Sequence, residues 1–254
     1  MPDTLDVEKL EREVKGVYQA VAERPDGEFH FEMSRQLAEQ LGYPSEDLDC
    51  VPQAAVESFA DVGYYFDLAG LQEGDDVIDL GSGSDMDVFV AALHVGETGS
   101  VTGLDMTEEQ LAKARELRDD AGFDTVSFGQ RYIEDLPFDD GSFDVVISNG
   151  VINLSAEKER VFAEANRVLV PEGRLALSDI ISETEMPDNI KTDADLWAAC
   201  IGGAEQINNY TTMIEAVGFD VVEIRENPQY EFVSEQAQGA CQMYVMKSIS
   251  LGAR

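Results

Sequence analysis

The sequence predicts an α/β fold: a doubly wound, mostly parallel sheet with an antiparallel C-terminal strand and a helical cap at the N-terminus. Three observations carry that prediction. Strand-length apolar runs alternate with helical stretches from residue 77 to residue 179. The first run, Val77–Leu80, passes directly into Gly81-Ser82-Gly83 and then into the apolar helical stretch Val88–Val95, the opening of a nucleotide-binding βαβ unit. The last two runs, 219–225 and 242–247, are joined by a segment with no helical pattern, which favours antiparallel pairing over another crossover.

Taken in order, Val7, Leu10, Val14, Val17 and Val21 recur at three- and four-residue steps, so residues 6–22 read as an amphipathic helix. Pro25-Asp26-Gly27 is a turn. A second helix, 32–41, stops at Gly42. Pro44 and Pro52 punctuate a loop that holds Cys50. Residues 1–72 are thus a helical cap, covering a sheet edge or forming a lid, and residues 73–254 are the sheet domain. After the second strand, 100–105, Thr107-Glu108-Glu109-Gln110 matches a capping box for a helix that reaches Gly122. Strands follow at 125–128 and 143–148, a loop at 149–155, and a helix at 156–169. Pro171-Glu172-Gly173 turns into the fifth strand, 174–179, and a short helix, 211–217, closes at Gly218.

Composition limits the function. With 254 residues and 44% hydrophobic content, the chain is long enough for one large α/β domain. No apolar run approaches the ~20 residues of a membrane span, and the first residues lack the pattern of a secretory signal. Cys50, Cys200 and Cys241 are widely spaced; they form neither a disulfide framework nor a metal-binding pattern, which fits a reducing cytoplasm. Acids outnumber bases 52 to 17, giving a net charge of −35. That charge disfavours nucleic acid and anionic membranes as partners. The acids are spread along the chain, as on a surface adapted to high salt, where at ~1 M the Debye length is about 3 Å.

The glycine turn is the candidate binding site. Its backbone allows a ligand to approach closely, and the helix beyond it opens with bare N–H groups. Asp105 ends the second strand about 22 residues beyond Gly83, where a nucleotide site places a carboxylate for ribose hydroxyls.

With these pieces assembled, the chain resembles the class I S-adenosylmethionine-dependent methyltransferases, whose fold is Rossmann-like, and more narrowly the arsenite methyltransferases. The stretches Val77-Ile-Asp-Leu-Gly-Ser-Gly83, Val101-Thr-Gly-Leu-Asp-Met-Thr107, Ile147-Ser-Asn-Gly-Val-Ile-Asn-Leu-Ser155 and Gly173-Arg-Leu-Ala-Leu-Ser-Asp-Ile180 carry the resemblance. It implies S-adenosylmethionine as cofactor and a small-molecule acceptor, arsenite or another. It implies that Asp79, Gly81, Ser82 and Gly83 hold the methionine end, that Asp105 binds the ribose, and that Met106, Ile133 and Glu134 enclose the adenine. Asn149 would close the site below the sulfonium. Methyl transfer from a sulfonium needs alignment and exclusion of water more than acid–base chemistry, so two histidines suffice.

The chain departs from the family pattern twice. Asp85 replaces the third glycine of the cofactor turn. It repels the cofactor's carboxylate, pairs with its amino group, or simply occupies a helix N-terminus that favours an acid. Val62 replaces a family cysteine. Cys200 matches a family thiol, and Cys50 and Cys241 are the substitutes the sequence offers as soft ligands for arsenic. Tyr64, Tyr65, Trp197 and Cys200 are the expected acceptor-side residues.

Overall fold

The structure is a computed structural model that describes residues 5–24, 29, 32–84, 86–193, 196–197, 200–232, 238–239 and 243–254. Asp85, Cys241, His30 and the Pro25–Gly27 turn lie outside the described residues. The strands are β1 (Asp76–Leu80), β2 (Ser100–Asp105), β3 (Val126–Gln130), β4 (Phe143–Asn149), β5 (Leu169–Ser182), β6 (Glu205–Gln206), β7 (Val221–Glu226) and β8 (Met246–Ala253). They form one sheet in the order β3-β2-β1-β4-β5-β8-β7, with β6 pairing with β5. The pairs among β1 to β5 are parallel, and β8 runs antiparallel to both β5 and β7. The strand order reverses between β1 and β4, so a crevice opens at their carboxyl ends.

Ten helices are assigned among the described residues: α1 (Val7–Glu23), α2 (Arg35–Leu41), α3 (Ser45–Leu48), α4 (Gln53–Val56), α5 (Phe66–Ala69), α6 (Asp87–Val95), α7 (Glu108–Ala121), α8 (Lys158–Val168), α9 (Asp188–Lys191) and α10 (Ile207–Ala216). Alternation along the strands divides the core. Val77 packs with Leu37, Phe59, Phe66 and α6 on one face, while Ile78 and Leu80 pack with Val161, Phe162 and Tyr210 on the other. The segment 37–69 therefore shares a core with the sheet. Helix α1 packs separately: Leu10 and Val14 meet Trp197, with Tyr18, Met106 and Leu154 around them. No described helix is long and apolar enough to cross a membrane.

Four expectations change. The proline-bounded loop at 44–52 contains the single-turn helix α3, and α4 follows it. Thr107 is the N-cap of α7 but its side chain makes no capping bond, and the Gln110 side chain, the reciprocal half of the box, is used by Ser84 and the Tyr18 carbonyl instead. Strand β5 already starts at Leu169, with a register shift between its pairings to Phe143 and Val145 that takes up Pro171–Gly173. The last strand runs 246–253, not 242–247. Its Ser248 and Ser250 look like turn residues, yet both are buried because backbone carbonyls satisfy them. Ser248 Oγ donates to Val62 O at 2.5 Å and Ser250 Oγ to Tyr64 O at 2.8 Å.

Those two serines clamp the 62–64 segment across the sheet, and Gly63 fits there only because it lacks a side chain. A Cβ at Gly63 would lie 2.5 Å from Ser178 Oγ and 2.8 Å from Ser178 Cβ. Gly63→Ala is expected to lower the unfolding free energy by about 1–3 kcal/mol through overpacking. The denaturant midpoint measures it, and an unchanged midpoint would show that the clamp yields freely.

Candidate functional site

A cavity of ≈ 490 Å³ opens at the carboxyl ends of β1, β2 and β4, beneath α1. The glycine turn forms its floor. Gly81 N and Ser82 N both donate to Leu104 O at 2.8 Å, which ties the turn to the end of β2. Gly81 (φ +79°) and Gly83 (φ +53°) adopt left-handed conformations. A Cβ on Gly81 would come within 2.7 Å of Val151 Cβ. Asp105 stands at the tip of β2 and accepts from Gly83 N at 3.1 Å and from Thr107 N at 2.7 Å. Burial pushes its carboxyl up, while the backbone donors oppose the shift.

Met106, Ile133 and Glu134 line the same side, and Glu134 accepts from Ser155 Oγ. Thr107 also lines it; its buried hydroxyl has no hydrogen-bond partner. Asp79 and Ser82 are buried behind the turn and are not lining residues.

Asn149, at the end of β4, both lines the cavity and holds it in shape. Its Oδ1 accepts from Val62 N at 3.2 Å, and its Nδ2 lies 2.9 Å from Gly63 O and 3.1 Å from Asp87 Oδ2. Asp87 also accepts from Tyr43 and Tyr65, each at 2.7 Å.

At the opposite end the lining residues include Tyr18, Asp61, Val62, Cys200, Tyr230 and Phe232. Cys200 has a left-handed backbone (φ +58°), which is strained for a side-chain-bearing residue. Burial and the nearby Asp179 push its thiol up to about 12, while a hydrogen bond from Tyr18 pulls the other way. The structure does not bring Cys50 to this site: it is exposed and absent from the lining. Tyr64, Tyr65 and Trp197 do not line it either. Tyr65 is committed to Asp87, and Trp197 sits behind Cys200 with Lys158 Nζ 4.2 Å from its ring centroid.

Asp179 supports this end from below. It accepts from Asn153 N (3.1 Å), Asn153 Nδ2 (2.8 Å), Ile180 N (2.8 Å) and Tyr210 Oη (2.8 Å). Burial nevertheless raises its carboxyl to about 6. Burial also lowers the Lys158 amine to about 8.

Sequence reasoning missed Tyr18, Asp61 and Thr107. The apolar stripe of α1 could have indicated Tyr18, which falls on the same face. Thr107 was assigned to a cap, and nothing local marks Asp61.

The fold and the cavity are of the kind found in class I S-adenosylmethionine-dependent methyltransferases. The cavity fits the cofactor: its volume is that of a small-ligand pocket, and Asp105 and the unpartnered Thr107 hydroxyl face it as groups able to bind a ribose. The chain belongs to the methyltransferase-domain family, whose model matches residues 71–218, and within it is similar to the arsenite methyltransferases. A model described as protein-L-isoaspartate(D-aspartate) O-methyltransferase matches residues 7–132.

An arsenite methyltransferase of Halobacterium salinarum is 40% identical over 205 residues, covering 78% of this chain and 51% of that protein. One from Aquipseudomonas alcaligenes is 46% identical over 156 residues, covering 59% and 45%. The chain thus spans about half the length of these curated relatives. Among solved structures, an arsenic (III) S-adenosylmethionine methyltransferase from Chlamydomonas reinhardtii matches with a TM-score of 0.63 and 33% identity, over 88% of this chain and 73% of that one.

Tyr210→Phe keeps the ring packed on Phe162 but removes a donor from Asp179. The folded Asp179 pKa, already raised, rises further. Asp179 contributes stability that is full below its unfolded pKa of 3.8 and is lost as pH rises through about 6. The variant should therefore unfold more easily by about 1–3 kcal/mol above pH 7 and by less below pH ~5. Denaturation at both pH values measures this, and a cost independent of pH would contradict it.

Proposed function

We propose that this chain transfers the methyl group of S-adenosylmethionine to a small acceptor held at the Cys200 end of the cavity, with trivalent arsenic as that acceptor. The supporting observation is that the glycine turn, Asp105 and the half-buried Cys200 all line one cavity. Gly81 and Gly83, backed by Asp79 and Ser82, would receive the methionine end. Asp85, which follows Ser84 in the sequence, is part of the same proposed cofactor set. Asp105 and Thr107 would take the ribose, and Met106, Ile133 and Glu134 the adenine.

The bound cofactor supplies an electrophilic methyl carbon on a sulfonium. The chain's own contribution is to align the acceptor, through Cys200 and Asn149, and to exclude water beneath α1. Cys50 would act only as a surface thiol. The distributed acidic charge suits a protein working in a salt-rich cytoplasm.

A second reading, a non-arsenic acceptor, is favoured by Val62, which presents an apolar wall where the related family carries a thiol. Tyr18, Tyr230 and Phe232 would then supply an aromatic surface for it.

Calorimetry with S-adenosylmethionine in molar salt tests the cofactor half; absence of binding would sink the whole proposal. Cys200→Ser should bind the cofactor within ~threefold of the parent yet lose at least ~100-fold in arsenite methylation, a size in keeping with removal of a group that orients the acceptor. Undiminished arsenite methylation by that variant would rule out the thiol's role, and methylation of a non-arsenic acceptor alone would favour the second reading.

A further inference from the structure

Helix α8 opens with a buried cation. Lys158 is 6% exposed, and its Nζ donates to Ser155 O at 2.9 Å and lies 4.2 Å from the centroid of the Trp197 ring. Among the described residues no carboxylate comes within ion-pair distance of it. Asp179 of β5 and Glu205 of β6 attract it, and Lys191 of α9 repels it, only from further away. A buried ammonium ordinarily has a carboxylate against it; here the face of an indole takes that place.

Trp197 is built into the turn that carries Cys200. Its Nε1 donates to Lys191 O at 2.7 Å, and its carbonyl accepts from Cys200 N at 2.8 Å. A Cβ on Gly202 would lie 2.9 Å from Nε1 of the ring, and one on Gly203 would lie 2.8 Å from Cε3, so the chain beyond Cys200 rests directly on the indole. Cys200 itself has φ +58°, a conformation that persists only where its surroundings hold it.

We propose that Lys158 is a positioning residue for the acceptor: its ammonium, seated on the Trp197 face, holds the indole that keeps Cys200 in its left-handed turn at the cavity. This rests on the acceptor reading of Cys200 given above. The lysine must be charged to do so. Burial lowers its amine to about 8, with Glu205 and Asp179 opposing the shift and Lys191 assisting it. Below that pH the ammonium holds the ring. Above it the neutral amine keeps its bond to Ser155 O but loses its attraction for the indole. The neighbouring groups do not change over that range. Asp179, raised to about 6, is already ionised, and the Cys200 thiol, raised to about 12, stays protonated, as do Tyr18 and Tyr210.

Trp197 is the sole tryptophan, so its fluorescence reads the contact directly. Emission of the parent chain should titrate with a midpoint near pH 8. Lys158→Met, an uncharged side chain of similar length, and Lys158→Arg, whose guanidinium stays charged, should show no such step between about pH 7 and pH 9. Methylation of arsenite is then followed on the same three chains. Lys158→Met is expected to lower kcat/KM about threefold to thirtyfold, with affinity for S-adenosylmethionine within ~twofold of the parent. Lys158→Arg should recover most of that loss and, unlike the parent, hold its kcat/KM as the pH rises past about 8. Parent emission that does not change near pH 8 would remove the contact. A loss that arginine does not recover, with the same pH profile in Lys158→Arg as in the parent, would make the lysine merely structural. Should Lys158→Met fail to fold, the parent and Lys158→Arg decide the matter alone. A parent chain that shows the emission step and binds S-adenosylmethionine but methylates no arsenical would leave the contact standing and overturn the acceptor reading, and the positioning role with it.

Discussion

The shape of this site depends on one buried carboxyl group. Asp87 sits in the first turn of α6, almost fully excluded from solvent. Burial pushes its carboxyl up, and the donors from Tyr65, Tyr43 and Asn149 hold it down. A helix N-terminus also favours an acid. The donors come from separate parts of the chain: Tyr43 from the segment after α2, Tyr65 from the approach to α5, and Asn149 from the tip of β4. Satisfying a buried carboxyl group in this way binds those parts together, because loss of any one donor leaves a buried acceptor short of a partner. The crevice at the strand-order reversal therefore keeps its form before any ligand arrives.

The same logic explains how so acidic a chain can hold a positively charged cofactor without basic partners nearby. Asp61 and Asp105 lie on the cavity wall, and Asp79 and Asp87 are buried behind it. The arginines among the lining residues, Arg131 and Arg160, are both exposed. On the proposed function, a sulfonium and an ammonium would meet carboxylates already oriented by backbone N–H groups and tyrosines. Preorganised groups of this kind lose little on binding. The overall charge of −35 is a surface property, screened by salt; the few acids inside the cavity are shielded from it and act at short range.

Much of this was legible in the sequence because it follows from local rules. The strand-glycine-helix junction, Asp105 at the end of β2 and the C-terminal antiparallel pair all leave periodic or positional marks. What was not legible depends on partners distant in sequence. Ser248 and Ser250 belong to a buried strand only because Val62 and Tyr64 supply acceptors. Gln110 matched a capping box, yet it bridges Ser84 and the Tyr18 carbonyl. Tyr65 was placed at the acceptor side but is held by Asp87, while Tyr18, on an N-terminal helix, lines the cavity instead. In each case a long-range hydrogen bond overrode the local signal.

Cys200 shows what this cavity can and cannot ask of a thiol. Burial beside Asp179 keeps it protonated, so it is neither a free nucleophile nor an easy target for oxidation. A protonated thiol can still exchange its proton for a soft centre, provided that the proton has somewhere to go. Val62 is buried against Ile180, Ile201 and Met246, so its part of the lining is apolar and, among the described residues, brings no second thiol to the cavity. An acceptor fixed through one sulfur would keep its other ligands from solution, and its orientation would then rest on the rigidity of that attachment. The left-handed turn at Cys200 and the packing of Trp197 against Leu10 and Val14 of α1 supply that rigidity. Helix α1 and the turn at Cys200 are thus joined through Trp197 in one packed cluster.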